Sequence, residues 1–349
     1  MQNTRSRTFF RREDPELLVA AAQKLVNHNW RHNGRPFDPT TPMHPPVGRY
    51  STVHYGMMIP GLPAPLNFLD LIVVIGQPAI DLWTNPHLVE TTPRDTANVL
   101  IGSGITFPGQ FRGYRIEQDI TATDDGSVVK FGSDLELRHD YPNFHLSYAN
   151  DAFAVELDIV ATDKVAHFSK LPAGIYDHWS LLCQHTGTVT YDGQTHRLSG
   201  LNTYEYARGT AIALPMKFFT YQILNIDEST QVLMTEVLGP MGLPLQRSVY
   251  VRSLTDHGAV YERGFAFEVD ELEAVPRTTP NDVSMHLAKR FRWSVQDDGG
   301  NDLIALEAVT NDDYVYGMAG GYVGSYTYTG QFRGSVIAGT GYVEYVGTR

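Results

Sequence analysis

The sequence predicts an all-β protein of two antiparallel β units, preceded by a short helical and proline-rich extension. Three observations carry this. From about Leu66 onward, Val, Ile, Thr, Tyr and Phe alternate with polar residues in short runs. Turn signals rich in Asp, Asn and Gly punctuate those runs. The runs amount to roughly fourteen to eighteen strands, too many for one small barrel.

The first 65 residues read differently. Asp14-Pro15-Glu16 supplies an N-cap, a proline in the first turn and acidic charge. Leu17, Leu18, Ala21, Leu25 and Val26 then recur at helical spacing to about Asn29. His28 and His32 fall four apart, but the helix is expected to end between them and no third ligand stands nearby, so no metal site is expected. From Pro36 to Pro65 prolines recur densely, which predicts an extended segment laid over a folded body without long regular elements.

Hairpins are expected at four turns beyond this. Asp124-Asp125-Gly126 separates Arg115–Thr123 from Ser127–Arg138, and Asn150-Asp151 separates Asn143–Ala149 from Ala152–Thr162. Asp192-Gly193 separates Gly187–Tyr191 from Gln194–Gly200, and Asp297–Gly300 separates Arg290–Gln296 from Asp302–Thr310. The pentapeptide at Gly109–Gly113 recurs at Gly330–Gly334, which suggests duplication with each copy opening a strand. The Pro/Gly-rich stretch Leu238–Pro244 predicts a boundary, giving an extension over 1–65 and β units over 66–238 and 239–349.

Composition excludes several function classes. The 349 residues carry a net charge of −12, which argues against sequence-independent nucleic-acid binding. No run reaches the roughly 18 apolar residues of a bilayer span; the longest, Phe68–Gly76, contains Asp70. The single cysteine, Cys183, excludes an internal disulfide and reads as a buried, inert thiol. The basic N-terminus is followed at once by Glu13-Asp14-Pro15, unlike a secretory signal, so a cytoplasmic location is expected. No nucleophile elbow, phosphate loop, dinucleotide fingerprint or H-E-x-x-H pattern occurs, and no cofactor is expected.

Two clusters concentrate functional side chains. In Tyr176-Asp177-His178-Trp179, alternation sends Tyr176 and His178 to one face and Asp177 and Trp179 to the other. In Thr203-Tyr204-Glu205-Tyr206-Ala207-Arg208, Tyr204, Tyr206 and Arg208 share a face, while Glu205 shares the other with Thr203 and Ala207. A glutamate facing a barrel interior is desolvated, which raises its pKa and makes it a proton donor near neutral pH. The structural alternative is a solvent-facing Glu205, or one paired with Arg208 or Arg197.

The segment GLNTYEYARG after a DG hairpin, the terminal GTGYVEYVG and the doubled all-β pattern resemble the AttH / carotenoid 1,2-hydratase superfamily, which includes kievitone-hydratase-like proteins and lipocalin-like Diels–Alderases. The resemblance covers about residues 100–349 and implies two lipocalin-like barrels in tandem. It implies that Glu205 lies near the acidic cavity position of a G-x-G-x-x-(D/E/H)-x-x-W-G-like segment. The chain departs from that pattern, with Ala207-Arg208-Gly209 where tryptophan-glycine falls, and it lacks the hydratases' paired His-Trp-Asp pattern. Carotenoid hydration therefore does not follow.

The reading that results is a cofactor-independent lyase or isomerase acting on an apolar, isoprenoid- or polyketide-like molecule, with alkene hydration or dehydration first. Glu205 is the expected acid, Asp177 the second carboxyl and His178 a proton shuttle. Tyr176, Trp179, Tyr204 and Tyr206 are the aromatic walls, with Trp179 the ring beside Glu205. Alternatives are a pericyclic cyclase, a non-catalytic carrier of a lipophilic ligand, or an interaction protein using its edge strands. A homodimer is left open.

Overall fold

The computed structural model describes residues 31–77, 81–211, 216–318 and 320–347. The helix expected between Asp14 and Asn29, with His28, lies outside them. The fold is all-β as expected, with 62 % of the described residues in strands and 6 % helical, and forms two tandem barrels, one nearly closed and the other a half-barrel.

An 11-stranded sheet comprises β1 (Thr52–Ile59), β2 (Leu69–Ile75), β3 (Thr96–Ser103), β4 (Phe111–Arg115), β5 (Ile120–Ala122), β6 (Val128–Phe131), β7 (Leu135–Asp140), β8 (Asn143–Ala149), β9 (Phe153–Lys170), β10 (Tyr176–Tyr191) and β11 (Gln194–Gly209). A 10-stranded sheet follows, from β12 (Phe218–Asn225), β13 (Thr230–Leu238), β14 (Pro244–Ser253), β15 (Asp256–Tyr261) and β16 (Ala266–Leu272). After a small hairpin, β17 (Arg277–Thr278) and β18 (Ser284–Met285), it continues with β19 (Ala288–Gln296), β20 (Asp302–Thr310), β21 (Val315–Met318), β22 (Gly321–Phe332) and β23 (Ser335–Gly347). Both sheets follow one connection scheme: four strands meander outward from an inner strand, and the last strand of the unit returns to pair with it, β11 on β1 and β23 on β12.

All four expected turns join consecutive strands. At one of them Asp192 and Gly193 have φ of 48° and 71°, the left-handed pair a two-residue hairpin requires. The pentapeptide echo fails, however. Its first copy opens β4, but its second closes β22, and Arg333-Gly334 forms the turn into β23. Duplication is carried by topology instead.

Three further expectations are corrected. The proline-rich segment contains β1, a central strand, because no proline interrupts residues 47–59. The run Arg115–Thr123 is broken by one helical turn, Ile116–Asp119. The hydrogen-bonded sheets part between Gly209 and Phe218, so β12 and β13, assigned from the sequence to a unit ending at 238, belong to the second sheet.

The two faces of the first sheet have different fates. Tyr55, Leu71, Trp179, Leu181, Cys183, Tyr204 and Tyr206 point into the barrel and fill it. The segment before β1 closes one end. Phe37 packs 4.8 Å from Trp179, and the carbonyls of Met43 and His44 accept from Tyr55 and Tyr206. Cys183 is buried there and burial pushes its thiol up to about 12, as an inert thiol requires. The opposite face packs against the second barrel, where Met58, Ile72, Leu100 and Phe168 meet Tyr221, Leu233, Tyr250 and Tyr342. Among the described residues no helix is long and apolar enough to cross a membrane.

Candidate functional site

Strand register decides which side chains meet. Glu205 on β11 lies opposite Gly56 on β1 and Ser180 on β10, and Ala207 lies opposite His54 and His178. Paired residues share a face, so His54, His178 and Glu205 converge on the side of the first sheet that faces the second barrel. Glu205 is 1 % exposed. From β12, the Tyr221 hydroxyl donates to Glu205 Oε1 at 2.6 Å. His178 Nε2 stands 3.5 Å from Glu205 Oε2, an ion-pair distance without hydrogen-bond geometry. Its Nδ1 is 3.3 Å from the Tyr176 hydroxyl. His54 places Nδ1 2.9 Å from the Val73 carbonyl, and the two imidazoles meet edge to face at 5.7 Å. Phe168 covers the cluster, its ring 4.9 Å from His178 and 5.4 Å from Tyr221.

The electrostatics run against the role expected for Glu205. Burial raises its pKa, but the neighbouring His178 and the Tyr221 hydrogen bond outweigh that and hold the carboxyl below its ordinary value. That direction favours the carboxylate form over the neutral acid. Burial lowers His54 to about 4, with His178 adding to the effect, so that imidazole is neutral at pH 7.

The carboxyls of the seam that burial pushes toward the protonated form are others. Asp70 on β2 and Glu344 on β23 are both buried, and the Tyr342 hydroxyl lies 2.8 Å from Asp70 Oδ2 and 3.1 Å from Glu344 Oε1. A phenol has one proton, so it cannot donate to both carboxylates, and one carboxyl must donate back. Burial raises Asp70 to about 7 and pushes Glu344 well above its ordinary range, with the Glu205 charge adding to the latter. Gly102 makes room for this acid, because a Cβ there would collide with Asp70 Oδ1.

A buried cation completes the seam. Arg252 on β14 is 2 % exposed and crosses to the first sheet. It donates to the Ser180 carbonyl, to Ser180 Oγ at 2.9 Å, to the Leu181 carbonyl at 3.2 Å and to Gln231 Oε1 at 2.9 Å. Burial lowers its pKa to about 10, which still leaves it charged. The positive charge offsets that of Glu205 across Ser180.

The residues singled out in the sequence divide between two faces. Glu205, His178 and Tyr176 come together as described. Trp179, Tyr204 and Tyr206 do not join them: Trp179 pairs with Tyr206, and all three lie in the first barrel's core. The expected pairing of Trp179 with Glu205 fails because Glu205 has Ser180 opposite it. Asp177 stands at the barrel rim, 3.7 Å from Arg208, which also lies over the Tyr50 ring. Neither Arg208 nor Arg197 is the partner of Glu205. Sequence reading missed His54, Tyr221, Arg252 and the Asp70–Tyr342–Glu344 group. His54 sits in a segment read as irregular, and Tyr221 and Arg252 come from the other sheet. The signals within reach were Asp70 inside an apolar strand and Glu344 in the terminal GTGYVEYVG segment.

The architecture has solved counterparts. A protein assigned as AttH from Nitrosomonas europaea superposes with a TM-score of 0.58 at 11 % identity, over 90 % of this chain and 99 % of that one. Kievitone hydratase from Nectria haematococca gives a TM-score of 0.51 at 13 % identity, over 89 % of this chain and 97 % of that one. The resemblance to the AttH and hydratase superfamily is thus borne out in the fold. None of the curated proteins matches the chain in sequence. A family model does match it over residues 72–349, and the chain belongs to the family of unknown function DUF6670.

Proposed function

We propose that the protein is a lyase or isomerase that moves a proton on an apolar small molecule at the seam between its barrels. One observation carries the reading: two imidazoles, an ionised carboxylate and a phenol converge in a dry, aromatic-walled interface, with the side chain of His178 15 % exposed at its edge. An imidazole is the side chain that both gives and takes a proton near neutral pH. Glu205, fixed by Tyr221, places a carboxylate 3.5 Å from His178 Nε2, as the carboxylate of a catalytic dyad stands beside its imidazole.

Hydration or dehydration of an alkene remains the leading reaction. His178 gives its proton to one alkene carbon, and water adds its oxygen to the other. The water's surplus proton then returns to the imidazole, and dehydration is the reverse. Phe168 and the neighbouring phenols supply π faces for the developing cation, worth about 0.5–2 kcal/mol each. Kievitone hydratase, with the same fold, is by its name a hydratase. A lipocalin-type carrier is less well supported, because the first barrel's interior is filled by its own side chains.

The test is to incubate the purified protein with isoprenoid and polyketide alkenes in ¹⁸O-labelled water and follow the products by mass spectrometry. Incorporation of one oxygen, or loss of water from the matching alcohol, is the expected result. Recovery of every compound unchanged, though bound, would establish a carrier instead.

A further inference from the structure

We propose that His54, His178 and Glu205 form a binding site for one divalent transition-metal ion. Each offers one ligand atom, and the three atoms lie within 4.8 Å of one another. One pair already has the spacing, and the remaining separations, up to 4.8 Å, must close by about 1 Å. Ligands held about 2.0–2.2 Å from a common ion stand roughly 3–3.6 Å apart, and the His178–Glu205 pair is already at 3.5 Å.

Outer contacts aim all three inward. A carbonyl only accepts, so the Val73 oxygen 2.9 Å from His54 Nδ1 places the proton on Nδ1 and leaves the Nε2 lone pair free. Tyr176 occupies the Nδ1 side of His178, and His178 Nε2 is buried without a hydrogen-bond partner. Tyr221 takes Glu205 Oε1 and leaves Oε2 facing the imidazoles. An outer partner on every ligand is how protein metal sites fix tautomer and direction.

Gly56 packs against this cluster. A Cβ there would stand 2.9 Å from His54 Nε2 and 3.2 Å from Glu205 Cβ, so a larger residue crowds the place an ion would take. Two imidazoles and one carboxylate suit zinc, cobalt or iron(II) better than calcium or magnesium, which prefer all-oxygen sets. Three protein ligands leave positions for water or a substrate oxygen. An ion on His178 Nε2 would take the place of the proton that the acid–base reading gives that nitrogen, so for His178 the two roles are alternatives; the binding itself does not rest on that reading.

The experiment titrates Co(II) into the full-length, tag-free protein after chelator treatment, followed by visible absorption and by melting temperature. The expected result is one equivalent bound, with d–d bands stronger than those of the aquo ion and a raised melting temperature. His54→Ala, His178→Ala and Glu205→Gln should each weaken binding about 10- to 100-fold or more. His145→Ala should not, although His145 stands at the surface beside Glu156 and Asp158. The wild-type spectrum reads the site even if a seam variant fails to fold. Absence of stoichiometric binding, or binding lost only in His145→Ala, overturns the proposal. Conversion by chelated protein that binds no cobalt would also overturn it, while leaving the acid–base reading intact. Stoichiometric cobalt without conversion of any apolar compound supports the site and removes that reading instead.

Discussion

His178→Asn is expected to lower turnover of an apolar substrate by about 10²- to 10⁴-fold, the range a positioned proton carrier supplies. Its melting temperature should stay within a few degrees of the wild type. The two readouts separate because of where His178 sits. Its ring lies at the seam's edge, its Nε2 makes no hydrogen bond, and asparagine retains a polar group toward Tyr176. Fold stability loses the pairing of His178 with the buried Glu205, a modest cost at the seam's edge, whereas the proton transfer depends wholly on the imidazole. Rate assays and thermal unfolding on the same preparation check this. Unchanged turnover would remove His178 from the reaction, and collapse of the fold would make it a structural residue.

Arg252→Met should destabilise the protein by about 3–5 kcal/mol, the cost of removing one charge from a buried, hydrogen-bonded set. Arg252 is the cation that crosses from the second barrel to Ser180 and Leu181, and losing it leaves Gln231 Oε1 and Ser180 Oγ without that donor. It also leaves the ionised Glu205 without the positive charge beyond Ser180. A melting temperature lower by roughly 5–15 °C follows. Arg252→Lys should fall between, keeping the charge but not the planar set of donors. A loss below about 1 kcal/mol in Arg252→Met would mean that the seam does not depend on this cation.

The fold was legible in the sequence because its signals are local. Alternation and two-residue turns such as Asp192-Gly193 depend only on neighbours in the chain, and every expected hairpin forms. The sheet divide was not legible, because Gly239-Pro240 and its neighbours make a turn between β13 and β14, while the sheets part after Gly209 without a comparable Pro/Gly cluster. The site was half legible. Alternation separated Glu205 from Tyr204 and Tyr206 correctly, and Tyr176 with His178 from Trp179. What alternation cannot say is which face of a strand looks inward. Both faces of β11 are buried, one by its own barrel and one by the other. The choice of the interior for Glu205 was therefore open to error, and its charge state followed from that choice. Burial alone favours the protonated form; His178 and Tyr221, brought by two other strands, push the carboxyl the other way.

Infrared difference spectroscopy between the wild type and Glu205→Gln at pH 7 tests this charge state most directly. Asp70 is present in both proteins, and the comparison is made in a Glu344→Gln background, because the Glu205 charge helps raise Glu344 and its bands would otherwise shift with the substitution. Loss of ionised-carboxylate bands on substitution is the predicted result. Loss of a protonated carboxyl carbonyl band instead would restore Glu205 as a neutral acid and contradict the assignment of His178 as the proton carrier.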